Sequence, residues 1–501
     1  MWPHRDGGPG VAGGAITAPK CETVQNARHR HAHLLKHRLT QIADAVQSID
    51  LRPPPAGKSL PELSTTPSAS ARPARVLLVE SNEDGTVGGS HQALFDLAVR
   101  VDREGFQPVV LFNQDNVFAS RLRERGIEVV LFDEVSRQER EINRSGRRGV
   151  KLLGFGAAVL RRWRELRRRR IDLVHLNNSP AVGNDNWLPA ARLMGIPCLV
   201  TAAGGTDSPR RWVHRWLYRS FDLYLPVSNY MAQILRKNGV NPIRIEQVYP
   251  GVDFETLRGR QLRSRRVVRQ ELGAGPDQVL AVMVGNIRPW KGQREVIAAL
   301  GLLPQDIRAR LRFCFVGATS TADTGYEANL RAEIAAAGLG ECVSFLGSRS
   351  DVSDLYAAAD IAVHASITPE PFGLVVPEAM ALNCAVIAAS SGGPSEIIAG
   401  GTGFLCDPFR PEEYARVLEQ LVRDESLRRS IAEAAPSQAA LFSIERSVSG
   451  IARAYRRALE ARKRFNPFAR SHAPWKESRF DSVSAAAFQN ESDGSGPMPW
   501  H

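Results

Sequence analysis

Ala74–Phe112 reads ARVLLVESNEDGTVGGSHQALFDLAVRVDREGFQPVVLF. ARVLLVE is an apolar run of strand length. SNEDGTVGGS is a glycine-rich loop, HQALFDLAVRVDREG carries its apolar residues at helical spacing, and PVVLF is a second short apolar run. Strand, loop, helix and strand in this order open a parallel, doubly wound α/β sheet.

The alternation continues downstream. RLRERG leads to IEVVLF, a basic helix precedes IDLVHL, and a helix over Trp187–Met194 is followed by PCLVTAA and DLYLPVS. NYMAQILRKNG and RIEQVYPG close this half. A second series starts near Gln278 with VLAVMVGN, GQREVIAALGLL, RFCFVG and YEANLRAEIAAAG, then CVSFLG, DIAVHAS and CAVIAAS. The spacing predicts two tandem α/β halves, residues 74–248 and 249–443, and a helix over 444–464 that crosses back from the second. Residues 1–73 mix Pro, Gly, Ser, His and Arg and read as a disordered extension with one helix expected near 25–50. Residues 465–501 read as a disordered tail.

Of 501 residues, 43% are hydrophobic, enough for two cores of ordinary size. The formal charge is +12, and the stretch RRWRELRRRR from Arg161 to Arg170 carries much of the excess. Its apolar positions Leu160, Trp163 and Leu166 fall three apart, which predicts an amphipathic basic helix over 157–170 able to lie on an anionic membrane surface. A solvated helix face is the competing reading. No recognised nucleic-acid-binding module is present, so nucleic acid is not an expected partner. The six cysteines form no CxxC pair and several lie in apolar runs, which fits buried, reduced thiols. No apolar run has membrane-spanning length and the start lacks a secretory h-region. A cytoplasmic protein, peripheral on the inner face of a membrane if the basic helix binds lipid, is expected.

The densest chemistry lies in His364–Met380, HASITPEPFGLVVPEAM. A strand gives way to a Pro-rich turn, and Phe372, Gly373 and Leu374 open a helix. Unpaired N–H groups at such a start suit sugar hydroxyls or phosphate oxygens. As bare spacing, Glu370 and Glu378, eight apart, mean little. With Pro371, Phe372 and Gly373 between them and Ala-Met after them, however, the stretch resembles the E-x7-E motif of retaining GT-B glycosyltransferases of the family 4 type, whose second half is the glycosyl transferases group 1 domain.

The resemblance implies the GT-B fold: two Rossmann-like sheets facing a cleft, with a C-terminal crossover helix. It assigns Glu370 to the donor sugar, Glu378 to the ribose hydroxyls, and the backbone of Phe372, Gly373 and Leu374 to sugar hydroxyls. Val284–Gln293, VGNIRPWKGQ, is similar to the family's G-R-x(4 or 5)-K-G segment. It makes Lys291 a contact for the leaving diphosphate. Asn286 stands where the family has arginine, and Arg288 is the candidate second cation. Gly88 and Gly89 match the first βα loop against the donor phosphate. Backbone near Ser348 and Arg349 matches the segment beside the base. His175, ending a strand with Asn177 just beyond, is the acceptor-side candidate, with His91 as an alternative. SSGGPSEII, from Ser390, matches a fold-supporting segment of the family.

The function so implied is metal-independent transfer of a hexosyl group, with retention, from a nucleotide-diphosphate sugar to a glycan or lipid-linked acceptor in cell-envelope or exopolysaccharide biosynthesis. No cofactor is expected, because cations and backbone supply the phosphate contacts. The rivals are a GT-B nucleotide-sugar epimerase and a catalytically degenerate GT-B scaffold. A dehydrogenase lacks its fingerprint in the first loop.

Overall fold

The computed structural model describes residues 72–80, 89–132, 148–177, 186–204, 212–319 and 325–464. The expected disordered tail, the N-terminal extension up to Ala71 and Gly88 lie outside these residues.

The apolar runs become two parallel six-stranded sheets. The first contains β1 (Ala74–Glu80), β2 (Phe106–Phe112), β3 (Glu128–Leu131), β4 (Leu173–Asn177), β5 (Cys198–Ala202) and β6 (Leu223–Pro226) in the order β3-β2-β1-β4-β5-β6. The second contains β7 (Val279–Val284), β8 (Leu311–Val316), β9 (Val343–Phe345), β10 (Ile361–Val363), β11 (Ala385–Ala389) and β12 (Phe404–Cys406) in the order β12-β11-β10-β7-β8-β9. Read from β9, the second sheet repeats the first. Helices cover both faces, so the strands are apolar throughout. In β11 all five residues are buried.

This order reverses direction beside the first strand of each half, between β1 and β4 and between β7 and β10. Loops leaving the carboxyl ends of strands at such a switch point splay apart and leave a crevice for ligand. Sheet order alone therefore marks the loops after β1 and β4, and after β7 and β10, as the walls of a site.

Helix Ile444–Arg464 belongs by sequence to the end of the chain but buries Ile444, Val448, Ala452 and Tyr455 in the core of the first half, with Val76, Leu78 and Phe106. Tyr455 is fully buried and meets Phe106 edge-on at 5.3 Å. Its hydroxyl lies 2.6 Å from His175 Nδ1, while His175 Nε2 lies 2.8 Å from Thr201 Oγ1. Burial pushes the His175 imidazole down to about 3.

The basic helix spans Arg148–Arg168. Its expected apolar stripe divides: Leu166 is fully buried while Leu160 is 44% exposed, together with Phe155 at 44%. Three-residue spacing placed Leu160 and Leu166 on one face, but the inward side belongs to the sheet core, and Arg162 is buried there as well. Among the described residues no helix is long and apolar enough to cross a membrane. The five described cysteines are free and buried.

Candidate active site

In the second half the two switch-point loops bring Lys291 and Glu370 together. Lys291 ends the turn Pro289–Lys291 after β7, and Glu370 lies on the loop after β10. The two loops are stitched by backbone, since the Trp290 carbonyl accepts from the Ile367 N–H at 3.0 Å. Lys291 Nζ donates to Glu370 Oε1 at 2.6 Å and rests over the Trp290 ring, 4.4 Å from its centroid.

The same carboxylate oxygen accepts from the Ser366 hydroxyl and has His364 Nε2 at 3.1 Å, an approach that leaves the ring nitrogen without a well-aligned hydrogen bond. His364 Nδ1 faces the Ala389 N–H at 3.5 Å, an arrangement that places the ring proton on Nε2, toward Glu370. His364 and Ser366 lie two apart on the segment after β10, and both side chains, themselves buried, meet the same Glu370 oxygen. Burial by itself would raise the Glu370 carboxyl. The His364 Nε2–H aimed at it, with the Lys291 ammonium, overrides this and holds Glu370 well below the usual carboxylate range. The site thus keeps a buried anion next to a cation at the mouth of the crevice.

Gly373, at φ +90°, turns the chain into helix Val375–Ala381, whose first turn carries Glu378. Glu378 lies on the wall of a cavity of about 800 Å³ between the two halves, lined also by Gly89, Asp96, Arg100, Arg260 and Leu374. Leu374 Cδ1 reaches to 4.0 Å from where a Gly89 side chain would begin, so the first helix of one half meets the motif helix of the other. Burial pushes the Glu378 carboxyl up to about 7, the Arg260 charge offsetting only part of it. A carboxyl whose folded value is raised contributes stability that is full below its unfolded value, about 4.3, and lost as pH rises through 7. Glu378→Gln is therefore expected to raise Tm by roughly 2–4 °C at pH 8.5 and to change it little at pH 5. Equal shifts at both pH values would contradict a buried, ionising carboxyl.

The remaining assignments separate. Phe372 turns its ring away, into an aromatic cluster with Tyr249 at 5.8 Å and Phe442 at 5.6 Å, leaving its backbone at the loop. Asn286 is exposed, and its carbonyl accepts from Gln293 at 3.0 Å. Arg288 is half-buried at the head of the Lys291 turn. The Arg349 side chain leaves the site for Asp351 and Glu271, at 2.6 and 2.9 Å.

His175 does not reach the cleft. Both its ring nitrogens are engaged and it is 2% exposed, because the crossover helix covers the end of β4 and places Tyr455 over it. His91 is likewise buried, stacked on Phe112 at 5.9 Å. At the first switch point the residue that faces the loop is Asn177, which donates to Glu80 at 2.7 Å and to the Ser90 carbonyl at 3.0 Å. Ser366 and Arg260 were missed by sequence reasoning. The two-residue spacing from His364 to Ser366 was the available signal for the first. Arg260 comes from a remote linker and had none.

Two family models account for both halves. Residues 87–256, which run from the end of the loop after β1 through β6, match glycosyltransferase family 4, and residues 264–438, which contain the whole second sheet, match glycosyl transferases group 1. The chain belongs to the GT-B glycosyltransferases. Among its curated relatives is the D-inositol 3-phosphate glycosyltransferase of Rhodococcus opacus, 28% identical over 417 residues that cover 78% of this transferase and 92% of the relative. That of Mycobacterium bovis is 29% identical over 330 residues, 62% of this chain and 66% of the relative. The fold is shared with Anabaena Alr3699/HepE crystallised with UDP, at TM-score 0.63, 24% identity, 76% of this transferase and 100% of that chain. It is also shared with a glycosyltransferase from Rickettsia africae, at TM-score 0.65, 20% identity, 78% and 100%.

Proposed function

We propose that this transferase moves a hexosyl group from a nucleotide-diphosphate sugar to a glycan or lipid-linked acceptor with retention at the anomeric carbon and without a metal ion, in cell-envelope or exopolysaccharide biosynthesis. The observation that carries the reading is the Lys291–Glu370 pair at the second switch point. Donor would sit in the second half. Glu378, at the start of its helix, accepts from the ribose hydroxyls, and the N–H groups following Glu370 meet the sugar. Lys291 and Arg288 supply positive charge to the diphosphate as it leaves, the work that a divalent cation does in other transferases. Glu370, already ionised, orients the sugar hydroxyls and stabilises positive charge growing at the anomeric carbon. It is an orienting and electrostatic group, not a nucleophile. The UDP and UDP-glucose held by Anabaena Alr3699/HepE support a nucleotide-sugar donor. The acceptor is assigned to the first half, at Asn177 in place of His175, while Gly88 and Gly89 keep their assignment to the donor phosphate. Phe155, Leu160, Arg164, Arg167 and Arg168 are exposed on the basic helix and are the surface proposed to meet an anionic membrane.

A thermal-shift panel of nucleoside diphosphates and nucleotide sugars tests the donor. A specific ligand at about 100 times its Kd adds roughly 2.7 kcal/mol of stability and raises Tm accordingly. Turnover is expected to survive excess EDTA, and the anomeric coupling constant of the product is expected to report retention. No shift with any nucleotide, loss of turnover in EDTA, or an inverted product would each remove a part of the reading.

A further inference from the structure

Ser390–Ile398 follows β11 rather than a switch-point strand, and it spans the two halves. Glu396, on the short helix Pro394–Ile397, reaches out of the second half to the start of helix Asn229–Lys237 in the first. One carboxylate oxygen accepts the Tyr230 N–H at 2.7 Å. The other accepts the Asn229 N–H at 2.8 Å, its side-chain amide at 3.1 Å and the Tyr249 hydroxyl at 3.0 Å. Ser228 already accepts from the Met231 N–H at 3.1 Å, so the first N–H groups of that helix are shared between its own cap and a carboxylate from the other half. The positive end of the helix favours a carboxylate there. Burial and the Glu396 carboxylate push the Tyr249 phenol up to about 12, which keeps it a donor.

The other end of the segment is packed on the motif loop. The Gly393 N–H donates to the Glu370 carbonyl at 2.8 Å, and a side chain at Gly393 would begin 2.4 Å from Phe372 Cα. A displacement of the first half relative to Glu396 is therefore passed to the backbone of Glu370 itself.

We infer that Glu396 is a positioning residue, which sets the registration of the first half against the Glu370 loop and so presents the donor sugar to the acceptor side. Its kinetic consequence rests on the transferase reading above, whereas its structural consequence does not. Most donor contacts, Glu378, Lys291 and Arg288 among them, belong to the second half, so loss of the clasp separates turnover from nucleotide affinity.

The test compares full-length wild type with Glu396→Gln and Glu396→Ala by three readouts: amide exchange at Asn229 and Tyr230, calorimetric binding of UDP, and kcat with the donor chosen by the thermal-shift panel. Both variants are expected to exchange faster at these two amides, to bind UDP within about two-fold of wild type, and to lose roughly ten-fold or more in kcat, the glutamine less than the alanine. If the alanine variant does not fold, the isosteric glutamine carries the comparison. Unchanged exchange overturns the clasp. Unchanged kcat, or UDP affinity falling in step with kcat, overturns the positioning role. A wild type that neither binds nucleotide nor turns over any donor counts against the transferase reading, and the exchange measurement then decides the clasp by itself.

Discussion

Lys291→Met is expected to lower kcat by about 10²–10³-fold, the usual cost of removing one preorganised group that stabilises charge developing in a transition state. The same change removes the 2.6 Å partner of a carboxylate that is 9% exposed. Breaking one side of a buried pair costs about 3–5 kcal/mol, and the remaining Ser366 and His364 contacts place this case at the lower end. The two effects are separable. In Lys291→Met/Glu370→Gln no buried charge is left without its cation, so most of the stability is expected to return while turnover stays low. The pH dependence has a definite sign. Glu370 is held below its unfolded value, so its contribution to wild-type stability is present above about pH 4.3 and is lost only as pH falls through its depressed folded value. The single variant is therefore destabilised most near neutrality, and its deficit shrinks in acid as the carboxyl protonates. Melting curves and initial rates across pH measure both. A double variant no more stable than Lys291→Met would show that the pair is not the source of the lost stability.

Gly292→Ala is expected to be the most damaging single methyl in the described chain near the site. Gly292 sits at φ +83°, and an added Cβ would begin 1.9 Å from the Ala365 carbonyl oxygen, a backbone atom two residues past the end of β10. No rotamer change relieves a collision between two backbones. Either the turn carrying Lys291 or the strand end carrying Glu370 must move. Strain of this kind falls at the upper end of point-mutant effects, about 4 kcal/mol, which for a domain of this size lowers Tm by roughly 10 °C. Gly301→Ala, inside the helix Gln293–Leu302 that Gly292 precedes, is the control, since its Cβ meets only the Ala337 methyl at 3.9 Å. Equal melting temperatures for the two variants would refute the collision.

Much of this was legible in the amino-acid order. Parallel strands buried on both faces are continuous apolar runs, so VLAVMV and CAVIAAS announced themselves, and the glycine-bearing loop after VLAVMV is one wall of the second switch point. Lys291 and Glu370 were legible because both lie on loops whose neighbours have specific residue types. What was not legible depended on contacts between distant segments. His175 reads as a strand end but stands in the middle of β4, and nothing within residues 171–178 reveals that Tyr455, 280 positions later, covers it. Leu160, Trp163 and Leu166 obey helical spacing, but which side of the helix faces the sheet is decided by the sheet. Glu396 is the acidic residue of the family-like G-G-x-x-E segment, but that segment does not tell what the carboxylate meets, because its partners at Asn229, Tyr230 and Tyr249 lie on distant segments.

The return of helix Ile444–Arg464 to the first half fixes the order in which the molecule can be made. Val76, Leu78 and Phe106 emerge from the ribosome early, but the surface that completes their core is synthesised more than three hundred residues later. Until then the nascent first half exposes apolar side chains beside β1 and β2, and its sheet is closed only by one of the longest-range contacts in the chain, a slow kind of step. Although the two sheets repeat one strand order, they are not interchangeable modules. The second half can close its own core before synthesis ends, whereas the first is finished by the last described segment of the polypeptide.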